Sequence, residues 1–339
     1  MDRRSFVKLT APLVVISPVI GRKAFDQSYT GQLMTVTGEI RIDNMGLTLT
    51  HEHLFSIFGL DPEEKSDYNV DDLLSTVLPF LEKAKSAGCK TIVECTAAYF
   101  GRNAEILKII SEKSGFNILT NTGIYGAANG RYIPQYAHRE TPEQIASRWI
   151  GEWKNGIGGT GIRPGFMKLG FNNGPLTAVD KKLLQAAAIT HLASGLTIAA
   201  HTANNPDGAF EQLDVLRKNK LSALAWIWTH AHDVPSDDPL IKAAGMGAWI
   251  SFDGYRDEKH DRFLQGLQVM KKAGYLDHLL LSHDGNGYPQ RGKIPSRLTI
   301  DLLTNFLPAL RSSGFSESEI HQLTVVNPAK AFAVRVRKL

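Results

Sequence analysis

Leu47-Thr48-Leu49-Thr50-His51-Glu52-His53-Leu54 is an apolar and β-branched run that closes on two histidines one residue apart. Side chains along a strand alternate between its two faces, so a strand over 47–53 aims both imidazoles one way and Glu52 the other. Such a pair is either a two-pronged metal clamp or two partly buried polar groups at a strand end. What the rest of the chain brings to the same place decides between them.

Outward from this stretch, strand-like and helix-like segments alternate to the C-terminus. Strand candidates fall at 47–53, 90–97, 117–124, 165–170, 196–201, 223–230, 247–253 and 278–283. Helical patterns lie between or after them, over 71–87, 104–114, 142–154, 178–194 and 296–313. This alternation fits an α/β fold of the closed parallel (β/α)8 TIM-barrel type better than an open doubly wound sheet. A length of 339 residues suits one such domain, assigned to 46–339. An N-terminal extension over 25–45 carries a hairpin, Met34-Thr35-Val36 and Ile40-Arg41-Ile42 about a Thr37-Gly38 turn.

Residues 1–24 read differently. Arg3-Arg4-Ser5-Phe6-Val7-Lys8 precedes an apolar run from Leu9 to Ile20, resembling a twin-arginine export signal and placing the mature protein in the periplasm. The run is short and broken by Pro12 and Pro18, which argues against a membrane anchor spanning ~30 Å of hydrocarbon. Within it Arg3, Arg4, Lys8, Arg22 and Lys23 oppose only Asp2, a net of +4 that accounts for the whole chain's formal +4. The barrel itself is then neutral, which argues against a nucleic-acid partner. Cys89 and Cys95 flank and enter one strand and read as buried thiols.

Barrel enzymes carry their chemistry at the C-terminal ends of the strands. There the chain places His51 and His53 (first strand), Lys168 (fourth), His201 (fifth), His230 (sixth) and Asp284 (eighth). Imidazole and carboxylate donors without thiolate suit zinc, manganese, cobalt or iron in a reactive site rather than a structural one. Lys168 is the odd member, because an ammonium repels a metal.

The stretches Thr48-Leu-Thr-His51-Glu-His53, Gly101-Arg102-Asn103, Thr122-Gly-Ile-Tyr125, Gly165-Phe-Met-Lys168, His201-Thr202, His230-Ala-His-Asp233 and Ser282-His283-Asp284 span nearly everything after residue 33. With them the chain resembles the phosphotriesterase-like family, the branch of the amidohydrolase superfamily that holds phosphotriesterases and phosphotriesterase-like lactonases. The resemblance implies that Lys168 is carboxylated by CO₂ and bridges two divalent metal ions, zinc before manganese, cobalt or iron. It implies that His51, His53 and Asp284 hold the more buried ion, and His201 and His230 the other. Asp284 would accept and shuttle the proton, Asp233 would relay it, and Tyr125 would orient the substrate.

The activity so implied is attack by a metal-bridging hydroxide on an ester-type bond in a small lactone, carboxylic ester or organophosphate. Relatives also suggest a homodimer. Two other readings stay open at this point: a mononuclear deaminase-like amidohydrolase, in which Lys168 has no role, and a metal-dependent binding protein whose catalysis has lapsed.

Two places depart from the pattern. Phosphotriesterases of the family carry a histidine directly after the strand-seven aspartate, and lactonases carry Asp-Arg-Tyr-Gly; this chain has Asp253-Gly254-Tyr255-Arg256. The loop from Gly285 to Arg297 is shorter and more polar than an acyl-binding lid, and its Arg291, Lys293 and Arg297 read first as a solvated basic loop and second as contacts for an anionic group. His138, His191, His260, His278 and His321 read as ordinary, His232 and His283 as neighbours of the ligands. Glu52 is expected to pair in the layer between barrel and helices, and Trp226 and Trp228 to share a core face.

Overall fold

β3 (Leu47–Ser56) is buried along nearly its whole length, and the barrel is built around it. The computed structural model describes residues 31–62, 64, 66–289 and 296–339; residues 1–24, where an export signal is expected, and Arg291 and Lys293 lie outside the described residues. Before β3, strands β1 (Gln32–Thr35) and β2 (Gly38–Arg41) form the expected hairpin, with Thr35 opposite Gly38. The turn is therefore Val36-Thr37, one residue earlier than expected. The Thr35 hydroxyl fixes it by donating to the Gly38 carbonyl at 2.7 Å.

After β3 the chain runs α1 (Val70–Ser86), β4 (Cys89–Glu94), α2 (Ala104–Ser114), β5 (Asn117–Leu119), β6 (Asn121–Thr122), α3 (Gln135–Arg139), α4 (Pro142–Asn155), β7 (Phe166–Gly170) and α5 (Ala178–Ser194). It continues through β8 (Ile198–His201), α6 (Pro206–Lys218), β9 (Trp226–Thr229), α7 (Asp238–Gly245), β10 (Trp249–Phe252), α8 (His260–Lys272), β11 (Leu279–Leu281) and β12 (Gly285–Pro289). Among the described residues all barrel pairings are parallel, in two arcs ordered β12-β3-β4-β5 and β6-β7-β8-β9-β10-β11. The arcs join because β5 and β6 are halves of one strand, as are β11 and β12. The ring that results is the expected (β/α)8 barrel.

The third and eighth strands are thus each interrupted, where the sequence suggests continuous runs over 117–124 and 278–283. The second break has a cause in the chain: Asp284 sits at φ 53°, in the left-handed region that a β-strand cannot continue through. Helix starts agree with local chemistry. Asn103 caps α2, and the pairs Thr141/Gln144 and Thr177/Asp180 form capping boxes at α4 and α5.

The last expected helix, over 296–313, begins only near Leu302. Its first turns (Leu302–Phe306) are wide, with i to i+5 bonding, before a regular α9 (Leu307–Ser312). Pro308 has no N–H to give and its ring crowds the carbonyl four residues back, which opens the turn ahead of it. Pro328 does the same after α10 (Glu317–His321), widening Gln322–Val326 before α11 (Asn327–Phe332). The expected strand 223–230 also shortens, since Ala223–Ala225 make a tight helical turn that the Ser222 hydroxyl holds by accepting from the Leu224 N–H.

Trp226 and Trp228 are fully buried in the core, as their spacing suggests. Cys89 and Cys95 are buried free thiols. Among the described residues, no helix is long and apolar enough to cross a membrane.

One core residue has a pH consequence. The buried Glu94 carboxyl accepts from the Thr96 N–H at 3.2 Å through Oε2, while its Oε1 meets no partner among the described residues. Burial pushes it up to about 8. An acid whose folded value is raised contributes its stability below the unfolded value and loses it as pH climbs toward 8. Urea unfolding at pH 5 and pH 8.5 is therefore expected to show wild type losing up to several kcal/mol across that window, at ~1.4 kcal/mol per unit. Glu94→Gln should lose distinctly less, and equal losses would refute the assignment.

Candidate metal centre

His51 and His53 point to the same side of β3, as the alternation requires, and each ring is fixed by a partner on its outer nitrogen. The Thr96 hydroxyl gives its proton to the Phe55 carbonyl at 2.8 Å, so at 2.9 Å from His53 Nδ1 it accepts. That leaves the proton on Nδ1 and the lone pair on Nε2. Asp253 does the same for two rings at once: Oδ2 accepts from His51 Nδ1 and Oδ1 from His230 Nδ1, both at 2.8 Å. The carboxylate also accepts the His230 backbone N–H at 2.9 Å. Three imidazoles are thereby held with Nε2 free to face a cation.

The inner nitrogens converge. His53 Nε2 lies 3.4 Å and His51 Nε2 3.6 Å from Asp284 Oδ1, so these three donors can close on one ion. Lys168 Nζ is 3.1 Å from His51 Nε2. The His230 ring is 4.9 Å from that of His51 and 4.6 Å from that of His201, centre to centre. All six ligand candidates therefore meet at one mouth. His51, His230 and Asp253 are also close enough to surround a cation. Asp253, however, is completely buried and spent on the two Nδ1 protons, so it reads as the support of the ligands.

Two of the six, His230 and Asp284, are non-glycine residues at φ 60° and 53°. Such backbone costs ~1–3 kcal/mol at each position and persists where surrounding bonds impose it. For Asp284 the imposing group is Glu52, on the opposite face of β3. Its Oε1 accepts from the Ser282 hydroxyl (2.7 Å), the His283 N–H (3.0 Å) and His283 Nδ1 (3.0 Å), and its Oε2 accepts from the Gly285 N–H (2.8 Å). His283 Nε2 in turn takes the Leu302 N–H at 3.0 Å. The strut thus grips both sides of Asp284 and turns its carboxylate inward.

Glu52→Gln keeps the shape but replaces one acceptor oxygen with a donor facing donors. It is expected to cost about 1.5–3 kcal/mol of stability and to weaken metal retention. Thermal denaturation with and without added divalent ions reads both effects, and an unchanged midpoint would remove Glu52 from this role.

Electrostatics favour neutral imidazole at His51 and His201. Burial, aided by Lys168, pulls His51 down to about 4, and burial with His230 and Lys168 holds His201 well below its ordinary value. For His230 burial acts in the same direction, but Asp253 outweighs it and raises the ring. Burial also opposes charge on Asp284 and Asp253, yet the surrounding imidazoles win and keep both carboxyls below the usual range. Neutral imidazoles beside ionised carboxylates are the state that binds a divalent cation.

Lys168 fits the same picture through what it lacks. It is buried, and among the described residues it forms no ion pair within 4.0 Å. A buried ammonium without a counter-charge costs several kcal/mol, whereas a carbamate on the same nitrogen would be a metal-binding anion.

Tyr125 stands at the mouth, its ring 5.3 Å from His201. Burial raises its phenol, which stays neutral and able to donate. It packs on Phe100, which with Phe58 and Tyr132 forms an aromatic wall beside His53. Asp233 lies apart from the six. Its carboxylate is at the half-exposed rim, 3.1 Å from Lys259 and 3.3 Å from His232 Nε2. His232 fills the space over residue 254: a Cβ there would stand 2.3 Å from its Nε2, so the glycine makes room for this ring.

Asp253 and Glu52 were not among the expected site residues. Asp253 obeys the strand-end rule that picks out the other six; the partners of Glu52 lie more than 200 residues away in sequence.

With this geometry in place, sequence comparison is decisive: the sequence model of the phosphotriesterase family matches residues 31–332. The chain belongs to the phosphotriesterase family. Similar relatives include the phosphotriesterase homology protein of Escherichia coli K12, 28% identical over 86% of this chain and 99% of the relative. The aryldialkylphosphatase of Saccharolobus solfataricus is 27% identical over 87% and 97%. The N-acetyltaurine hydrolase of Xenopus tropicalis is 25% identical over 89% and 97%. Among solved structures, a mutant organophosphorus hydrolase from Deinococcus radiodurans superposes with a TM-score of 0.78 at 26% identity, covering 89% of this chain and 97% of that one. The chain is thus a barrel hydrolase of a metal-dependent family with a His/Asp cluster suited to a metal.

Proposed function

We propose that the protein is a binuclear metallohydrolase that cleaves an ester-type bond in a small lactone, carboxylic ester or phosphoester. The observation that carries this reading is the meeting of His51 Nε2, His53 Nε2, Asp284 Oδ1 and Lys168 Nζ in one buried mouth. His51, His53 and Asp284 would hold one ion, His201 and His230 a second, and a carboxylated Lys168 would join them. When bound, the ions supply an acidified water and Lewis acidity toward the developing oxyanion.

The chain's own groups do the rest. Asp253 and Thr96 hold the ligand rings in the tautomer that presents Nε2. Asp284, ionised and 27% exposed at its side chain, is the group placed to take a proton from the attacking water. Tyr125, neutral beside His201, can donate to a substrate oxygen. Asp233, coupled to the rim through His232 and Lys259, can carry the proton outward.

Lys168 beside His51 supports two ions over a mononuclear deaminase-like site, where it would have no task. The relatives named N-acetyltaurine hydrolase add an N-acyl bond as the second substrate class. The test is turnover of a panel of lactones, aryl esters, phosphotriesters and N-acyl compounds by the metal-loaded protein. Hydrolysis of at least one ester class, lost on chelation and restored by divalent ions, is expected. Turnover that survives complete metal removal would refute the metal-dependent reading. Tight binding without turnover of any member would favour a lapsed enzyme.

A further inference from the structure

The arginine that follows Gly254 two residues late has a defined place. Arg256 reaches across the seam between β10 and β11, where Tyr255 N–H bonds the Ser282 carbonyl and Ser282 N–H bonds the Phe252 carbonyl, both at 3.1 Å. Its Nη1 donates to the carbonyls of Tyr255 (2.8 Å) and His283 (2.5 Å), capping that ladder at the mouth. His283 is the residue directly before Asp284, so the guanidinium is anchored one residue from a candidate ligand.

The remaining edge of the group, Nε and Nη2, bonds to nothing among the described residues, and no carboxylate lies within 4.0 Å. Arg102 and Arg262, also partly buried, each face a carboxylate: Glu152 at 2.8 Å and Asp237 at 2.8 Å. Arg256 is half-buried, held rigid by one nitrogen, and presents the flat donor pair that matches a carboxylate.

We propose that Arg256 binds a carboxylate on the substrate, so that the preferred substrates are anionic esters or acyl compounds rather than neutral ones. This rests on the hydrolase reading above. It also places the anion contact on the strand-seven loop instead of the basic loop 291–297.

The experiment compares kcat/KM for a matched pair, phenyl hydrogen glutarate and phenyl butanoate, in metal-loaded wild type, Arg256→Gln and Arg256→Lys. Wild type should favour the anionic ester by roughly 10-fold or more, chiefly through KM. Arg256→Gln should collapse the ratio and Arg256→Lys keep part of it, since charge survives but the fork does not. General damage to the loop lowers both rates and leaves the ratio. A wild-type ratio at or below one, or a preference that persists in Arg256→Gln, overturns the proposal while leaving the hydrolase reading intact. If neither ester is turned over, calorimetric titration with N-acetyl-β-alanine and its neutral amide decides, and the hydrolase reading stands or falls separately on the full substrate panel. Binding of the acid that is lost in Arg256→Gln supports the proposal; equal binding by both variants, or none by wild type, overturns it.

Discussion

Lys168→Ala is expected to lower kcat/KM by on the order of 10³-fold or more, the scale seen when a group acting at the reacting centre is removed. Lys168 is buried against His51 Nε2 and, among the described residues, forms no ion pair within 4.0 Å, so its ammonium form would repel the cation that His51, His53 and Asp284 are arranged to hold. Carboxylation reverses that sign and turns the residue into a ligand. Lys168→Arg separates the two possibilities, because it keeps a positive charge and cannot form the carbamate. It is expected to be as inactive as Lys168→Ala, with both variants losing bound metal while circular dichroism reports a folded barrel. An active Lys168→Arg enzyme would show that the residue serves as a cation and that the bridging role is wrong.

Asp253→Asn should be nearly as damaging, for a different reason. Both oxygens of Asp253 accept: Oδ2 from His51 Nδ1, Oδ1 from His230 Nδ1 and N–H. An amide has one acceptor, so its NH₂ must face one of the two rings and push that ring toward the tautomer with a proton on Nε2. Metal affinity is expected to fall about 10- to 100-fold, and activity at limiting metal with it. Competition with a chelator of known affinity measures the loss. A variant that holds metal as tightly as wild type would demote Asp253 to a packing role.

The six ligand candidates could be read from the chain because each stands at the end of a strand-like run, and a parallel barrel gathers those ends by construction. The same rule reaches Asp253, which the strand-seven run 247–253 ends on. Glu52 illustrates a limit of another kind. Its direction follows from strand alternation, but its partners Ser282, His283 and Gly285 become neighbours only when β12 pairs with β3 and closes the ring. The break at Asp284 follows from that long-range grip and leaves no local signal. Arg256 combines both cases: its displacement in sequence is visible, but only the seam of β10 and β11 shows which carbonyls anchor it.

Metal content tests the central claim most directly. After saturation with zinc or manganese and removal of excess, elemental analysis of the wild-type protein should find two divalent ions per chain, with hydrolytic activity rising as the second is bound. Saturation at one ion per chain with full activity would contradict it.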